Sequence, residues 1–357
     1  MFRIAFVLSL LLVSAAHAQD ASTASTVHPP VLDVTSIDSS VDPCTDFFAY
    51  SCGGWLKQNP IPPDKTSWSA AAKLQDDNKV LLRGILEEAG AGGASRDPVK
   101  QKIGDYYAAC MDEKAVEAAG AKPLQAGLER IGGMHSLRDM ARVASGMLGQ
   151  GVLFDFQSDQ DFKNSSQVIA EVDQSGLGLP DRDYYLKTDA KSLELRQAYV
   201  AHMQKMLELL GDAPAVAAAE AQSILRIETA LAKGSLTQVE RRDPKLLYHK
   251  MSRHELEELS PSFRWKEYFA LAGQPGLRSL NVTAPEFLKA MDATLKKEDL
   301  ESWQAYLRWH LVHANALYLS SAFVDADFDF FGKTLGGAQE LEPRWQRCVG
   351  YVDNDLG

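Results

Sequence analysis

Histidines beside acids are the residues in this chain most able to do chemistry. A helical H-E-x-x-H sets two histidines on one face with a glutamate beside the metal, the arrangement of many zinc hydrolases. His254-Glu255 begins such a run, but Leu256-Glu257-Glu258 follows and the second histidine is missing. His310 and His313 have a separation that suits a shared metal, yet no suitably spaced acid accompanies them. They read as partly buried, hydrogen-bonded side chains. The pairs Asp76-Asp77, Glu87-Glu88 and Glu257-Glu258 are adjacent, so on a helix their carboxylates point roughly 100° apart and form solvated faces rather than an acid–base couple. Asp325, Asp327 and Asp329 alternate beside Phe328, Phe330 and Phe331. This resembles the start of a calcium loop but lacks its glycine and its closing glutamate. The stretch is expected to be a packed aromatic loop with outward carboxylates. No G-x-S-x-G elbow, phosphate loop or G-x-G-x-x-G occurs, and Gly176-x-Gly178 is too short to count.

Four cysteines complete the reactive inventory: Cys44, Cys52, Cys110 and Cys348. An even number in an exported chain suggests disulfides, and the residues alone leave all three pairings open. A four-thiolate zinc site is disfavoured because no pair has C-x-x-C spacing.

The elements that must carry these residues read as mainly helical. Leu74, Leu81, Leu82, Ile85 and Leu86 recur at helical spacing until Gly90, Gly92 and Gly93 end the run. Leu193, Val200, Met203, Leu207 and Leu210 form one face, capped by Gly211. Ala215 to Leu231 carries Ile224, Ile227 and Leu231 on one stripe, and Trp303, Tyr306, Leu307, Leu311 and Leu317 mark a further helix. Such stripes are expected to be core. Strand signals are confined to 152–156 and 168–172, with a polar segment between them able to close a hairpin. Gly176 to Asp181 is a turn-rich loop leading into Arg182-Asp183-Tyr184-Tyr185.

Residues 1–18 have the form of a secretory signal: Arg3, an apolar run from Ile4 to Val13, and Ala16-His17-Ala18 before a mature start at Gln19. Ten apolar residues are too few to cross a hydrocarbon core of ~30 Å, so no membrane span is expected after signal cleavage. The chain is expected to be periplasmic or secreted. Residues 19–41, rich in Ser, Thr and Pro, read as a flexible lead-in. The net charge of −11 becomes one unit more negative when Arg3 leaves with the signal. Such a chain has no electrostatic reason to bind nucleic acid or anionic lipid. The residues alone therefore describe an exported helical domain with disulfides and no self-contained active site.

Several ordered stretches go further. The run Asp42 to Leu56 (DPCTDFFAYSCGGWL), continued by Asn59-Pro60-Ile61-Pro62, closely resembles the opening of the neprilysin and endothelin-converting-enzyme family of zinc metallopeptidases. Leu177 to Tyr185 (LGLPDRDYY) is similar to a second block of that family, and Arg242-Asp243-Pro244 with Tyr248 and Met251 to a third. Asn281 with Pro285-Glu286-Phe287 resembles a fourth, and Pro343 to Cys348 (PRWQRC) the stretch that closes the family's N-terminal region.

The resemblance implies a fold class that is mainly α: the multi-helix N-terminal lobe of a two-lobed metallopeptidase, with a minor β-hairpin, over residues 42–357. Family enzymes are about twice this length, and their two lobes enclose a cavity that admits peptides. Their H-E-x-x-H, third zinc ligand and transition-state-stabilising histidine all lie in the C-terminal part. The resemblance thus assigns this chain no catalytic residue, no metal ligand and no cofactor of its own. Zinc belongs to the complete enzyme, peptides are its substrates, and a separate C-terminal catalytic segment is a candidate partner. A non-catalytic peptide-binding or regulatory protein with the same fold is the alternative. Ser67 or its neighbour, within Thr66-Ser67-Trp68, falls where mammalian neprilysin has an arginine for the peptide's terminal carboxylate, and no arginine is nearby. A charge-assisted contact of ~1.5–3 kcal/mol would be absent there, so Ser67 is only a candidate for the cavity wall. The resemblance also implies a Cys110–Cys348 disulfide, and partners for Cys44 and Cys52 near the C-terminus of the family's full-length chains.

Overall fold

The structure, a computed structural model, describes residues 33–357 apart from 92, 94 and 95. The signal expected over 1–18 lies outside the described residues. The chain divides after Pro60 into two compact units.

In the first unit, a short 3-10 turn at Val34–Ser36 precedes helix α1 (Phe47–Gln58). Asp46 caps α1 by accepting from the Ala49 N–H. Residues 33–41 are thus more structured than a flexible lead-in. The Asp38 N–H donates to the Tyr50 carbonyl at 2.7 Å, and Lys57 pairs with Asp38 at 2.6 Å. A Cβ at Gly54 would run into the Thr35 carbonyl, so the Gly53-Gly54 pair lets this segment cross α1 closely.

In the second unit the helices follow in order: α2 (Ala70–Ala91), α3 (Pro98–Met111), α4 (Glu113–Ala119), α5 (Gln125–Gly132) and α6 (Met140–Ser145). After a β-hairpin come α7 (Asp183–Leu186), α8 (Ala190–Leu209) and α9 (Pro214–Gly234), then α10 (Arg253–Leu259), α11 (Trp265–Leu271), α12 (Pro285–Lys297) and α13 (Leu300–Asn315). The last are α14 (Ser321–Asp327), which runs directly into a π-helical segment at Phe328–Leu335, and α15 (Arg344–Leu356). No helix among the described residues is long and apolar enough to cross a membrane.

The expected hairpin is present but larger than its apolar residues suggest. Strands β1 (Phe154–Asp161) and β2 (Asn164–Gln174) pair antiparallel, with Phe154 opposite Gln174. The polar segment read as the turn is mostly strand. Two short strands extend the sheet, β3 (Lys250–Ser252) and β4 (Ser279–Val282), in the order β1-β2-β4-β3. Asn281 locks this junction: its amide donates to Glu171 and to the Leu247 carbonyl, both at 2.9 Å, and its oxygen accepts from the His249 N–H at 2.7 Å.

The main core is built around α9, which packs on α8, α12 and α13. Its fully buried stripe is Ala217, Ala221, Ile224, Ile227 and Leu231, spaced as a helix face requires. A smaller core joins α2, α3 and α15 through Leu86, Tyr107, Val349 and Val352. The α2 stripe departs from expectation. Leu82 and Leu86 turn toward that core, whereas Leu74, Leu81 and Ile85 are exposed. Leu317, expected on the face of α13, lies beyond the end of that helix and is exposed.

Candidate functional site

The most highly connected polar group of the second unit is Glu228. It sits on the apolar stripe of α9, four residues after Ile224, and is completely buried. A carboxylate removed from water must find donors. Four converge here: the Gly178 N–H at 3.2 Å, Tyr185 Oη and Tyr199 Oη each at 2.9 Å, and His310 Nε2 at 3.0 Å. The network continues outward, with the Leu179 N–H donating to Tyr185 Oη at 2.8 Å and Trp309 Nε1 to Tyr199 Oη at 3.1 Å. Helices α7, α8, α9 and α13 are thereby tied to the Gly176–Asp181 loop.

Tyr306 clamps the same loop, donating to the Gly176 carbonyl at 3.0 Å and accepting from the Leu153 N–H at 3.1 Å. Gly176 has φ +80°, and a Cβ at Gly178 would collide with the Tyr199 hydroxyl. The L-G-L-P-D block is thus a loop whose backbone is held by buried hydroxyls. Glu228 positions it and has no lone pair left over for substrate or metal. The sequence signal for this site is a single acid on an alanine-rich apolar stripe, which the pairing of acids does not reveal.

The candidate ligands of the sequence are dispersed. His254 is exposed and lies 3.5 Å from Glu258, while its neighbour Glu255 closes a capping box with Ser252 at the start of α10. His310 is engaged by Glu228. His313 Nδ1 lies 3.9 Å from Asp327 Oδ1 and makes no hydrogen bond. Among the described residues no three His, Cys, Asp or Glu side chains gather as a metal group. The donor set present does not fit zinc.

The expectation of an aromatic loop at 325–331 is corrected. The stretch is helical, so Asp325 and Asp329, four apart, face solvent, and Asp327 between them is buried. Burial pushes the Asp327 carboxyl up to about 7. Burial also drives the neighbouring imidazoles down, His202 to about 4 and His313 to about 3, with His310 and His202 adding to the effect on His313. His202 stacks on Phe330 at 5.1 Å and His313 on Trp309 at 5.0 Å.

Ser67 is exposed, in the segment leading to α2. That segment is fastened to residues 336–342: the Pro63 carbonyl accepts from the Gln339 N–H at 2.8 Å, and Lys65 pairs with Glu342 at 2.7 Å. The ammonium of Lys65 is also within 3.4 Å of Asp64 and Asp76, so the cation nearest in sequence to Ser67 is already neutralised. Cys110 on α3 is disulfide-bonded to Cys348 on α15, with 5.8 Å between Cα atoms. Cys44 is exposed and Cys52 half-buried, and both are free thiols.

Against this geometry, residues 43–357 match peptidase family M13. The chain belongs to that family. It is 34% identical over 341 residues to endothelin-converting enzyme 1 of Mus musculus, covering 91% of this chain and 43% of the relative. It is 33% identical over 345 residues to Neprilysin-3 of Drosophila melanogaster, covering 90% of this chain and 44% of that one. The zinc metalloprotease ZMP1 of Mycobacterium tuberculosis has the same architecture, with a TM-score of 0.86 and 33% identity over 91% of this chain and 50% of its own. PepO of Lactobacillus rhamnosis shares the fold, with a TM-score of 0.74 over 87% of this chain and 49% of its own. The chain thus spans less than half the length of the curated M13 relatives it matches. Its mainly helical, partial N-terminal character agrees with the reading from residues 42–62, 177–185 and 343–348.

Proposed function

We propose that this chain is the N-terminal, peptide-enclosing part of an exported zinc metalloendopeptidase of family M13. Alone it does not cleave peptides. The carrying observation is the family match over 43–357 set against coverage of only 43% of the relative. In this reading 42–357 is one functional region, preceded by a signal over 1–18 and a lead-in over 19–41, and the protein is periplasmic or secreted. Its helices and the Glu228-held loop supply rigid cavity wall, with Ser67 lining the cavity without a cation for a peptide terminus. The chemistry of zinc, polarising the peptide carbonyl and activating water, belongs to a C-terminal segment that supplies the ligands. Cys110–Cys348 is this part's own bridge, and Cys44 and Cys52 await partners in that segment.

The dispersed donor set also favours a second reading, a non-catalytic peptide-binding or regulatory protein on the same fold. The nucleotide sequence that follows the Gly357 codon separates the two. An H-E-x-x-H downstream, in frame or after a frameshift, supports the enzyme part, and its absence supports the binding protein.

A further inference from the structure

An apolar cavity of about 260 Å³ lies beside the Cys110–Cys348 bridge, between α3, α4, the 3-10 turn at Ala316–Tyr318 and the first turns of α15. Tyr106, Tyr318 and Tyr351 face it with Leu317, and Arg344 and Arg347 reach it from α15. The arginines are placed against the local field. They stand in the first turn of a helix that has no acidic residue there and no side-chain cap, where a positive charge opposes the macrodipole.

Neither guanidinium is ion-paired among the described residues. Arg344 donates from Nε to the Cys110 carbonyl at 2.8 Å, and Arg347 from Nε to the Glu342 carbonyl at 3.0 Å. Of the neighbouring acids, Glu342 is engaged by Lys65 and Lys79, and Asp355 accepts from the Tyr106 hydroxyl and pairs with neither arginine. Burial pushes the Tyr106 and Tyr351 hydroxyls up, so the rings carry no charge of their own. In a chain of net charge −11, two unneutralised guanidinium forks over an apolar, aromatic hollow are a local exception.

We propose that this cavity binds a carboxylate carried on an apolar or aromatic group, of the size of one C-terminal residue of a peptide. Its volume lies just below the usual range for ligand pockets, which suits a single side chain. A planar guanidinium matches a carboxylate through two parallel N–H donors, and the phenol rings cover the apolar part. The inference does not rest on the peptidase reading, since the cavity needs neither zinc nor a second segment.

Isothermal titration of the whole chain with N-acetyl-L-phenylalanine and with its amide tests it. The acid is expected to bind at least about tenfold more tightly, the loss of one charge-assisted contact. Arg344→Gln and Arg347→Gln should each weaken the acid by about tenfold or more and leave the amide unchanged, with a single cooperative thermal transition that shows each variant is folded. Equal binding of acid and amide by the unsubstituted chain, or no binding of either at millimolar concentration, overturns the proposal without recourse to a variant. Two further probes identify the source of the carboxylate. A tetrapeptide ending in phenylalanine that binds more tightly than 3-phenylpropionate assigns the site to peptide termini. Equal affinity for the two assigns it to free apolar acids.

Discussion

At the scale of single residues, the important polar groups are buried ones that organise the chain. Glu228 receives four donors at 2.9–3.2 Å from three helices and a loop. Removing it leaves those donors unpaired in the core at about 1–3 kcal/mol for each that finds no new partner, so Glu228→Ala should cost about 3 kcal/mol or more of stability. Glu228→Gln, which keeps one acceptor, should cost less. Chemical denaturation of both variants checks the order.

Asp327 gives a pH dependence of opposite sign to its histidine neighbours. Its carboxyl, raised to about 7, keeps a proton in the folded chain that the unfolded chain releases. Its contribution is therefore full at low pH and fades as pH rises from about 4 to 7. His202 and His313, lowered to about 4 and about 3, bind protons more readily when unfolded, so their contribution fades as pH falls below about 6.5. His313 lies 3.9 Å from Asp327, and Tyr351 also senses its charge. Asp327→Asn removes only the first effect. It should stabilise the chain at pH 8, by at most about 4 kcal/mol, and the gain should vanish by pH 4. Thermal melts across that range are the check, and a gain that grows toward low pH would contradict this account.

At the scale of elements, the sequence was most legible where one helix buries one face. The α9 stripe and the Trp303–Leu311 stripe of α13 are core because apolar side chains three and four apart fall on one side of a helix. On α8, by contrast, Met203 and Leu207 are buried, Val200 and Leu210 half-buried and Leu193 exposed. The α2 stripe shows the limit of that logic. Periodicity identifies a face but not its cover, and Leu74, Leu81 and Ile85 are exposed while Leu82 and Leu86 are buried. Strands β3 and β4, three and four residues long, are too short to show a period, and their pairing is dictated by Asn281. The Asp325–Asp329 alternation looked like an extended loop because spacing by two suits one, yet the same residues in a helix split into one inward and two outward acids.

The bridge between α3 and α15 closes a separation of 238 residues, so the chain-entropy model gives roughly 5 kcal/mol as an upper figure. Reduction, or the Cys110→Ser and Cys348→Ser pair, should lower the midpoint of denaturation accordingly. Mapping of the unreduced protein with a thiol reagent should label Cys44 and Cys52 and spare Cys110 and Cys348. Labelling of Cys348 in folded, unreduced protein would contradict the structure.

At the scale of the whole molecule, membership of family M13 was carried by blocks such as Asp42–Leu56 and Leu177–Tyr185. The structure supplies the physical reason for the second of these, a loop pinned by Glu228, Tyr185, Tyr199 and Tyr306. The cavity flanked by Arg344 and Arg347 was not legible, because its walls come from segments more than two hundred residues apart in sequence. They meet where α3 packs on α15 beside the Cys110–Cys348 bridge, whose cysteines are 238 residues apart. The central proposal is that this chain is the peptide-enclosing part of a family M13 peptidase whose zinc donors are supplied by a separate segment, since no metal group gathers among the described residues. The direct measurement is turnover of a fluorogenic peptide by the purified chain, with and without added zinc and with and without a chelator. The account predicts no cleavage above background in any condition. Cleavage that a chelator abolishes and zinc restores would contradict it.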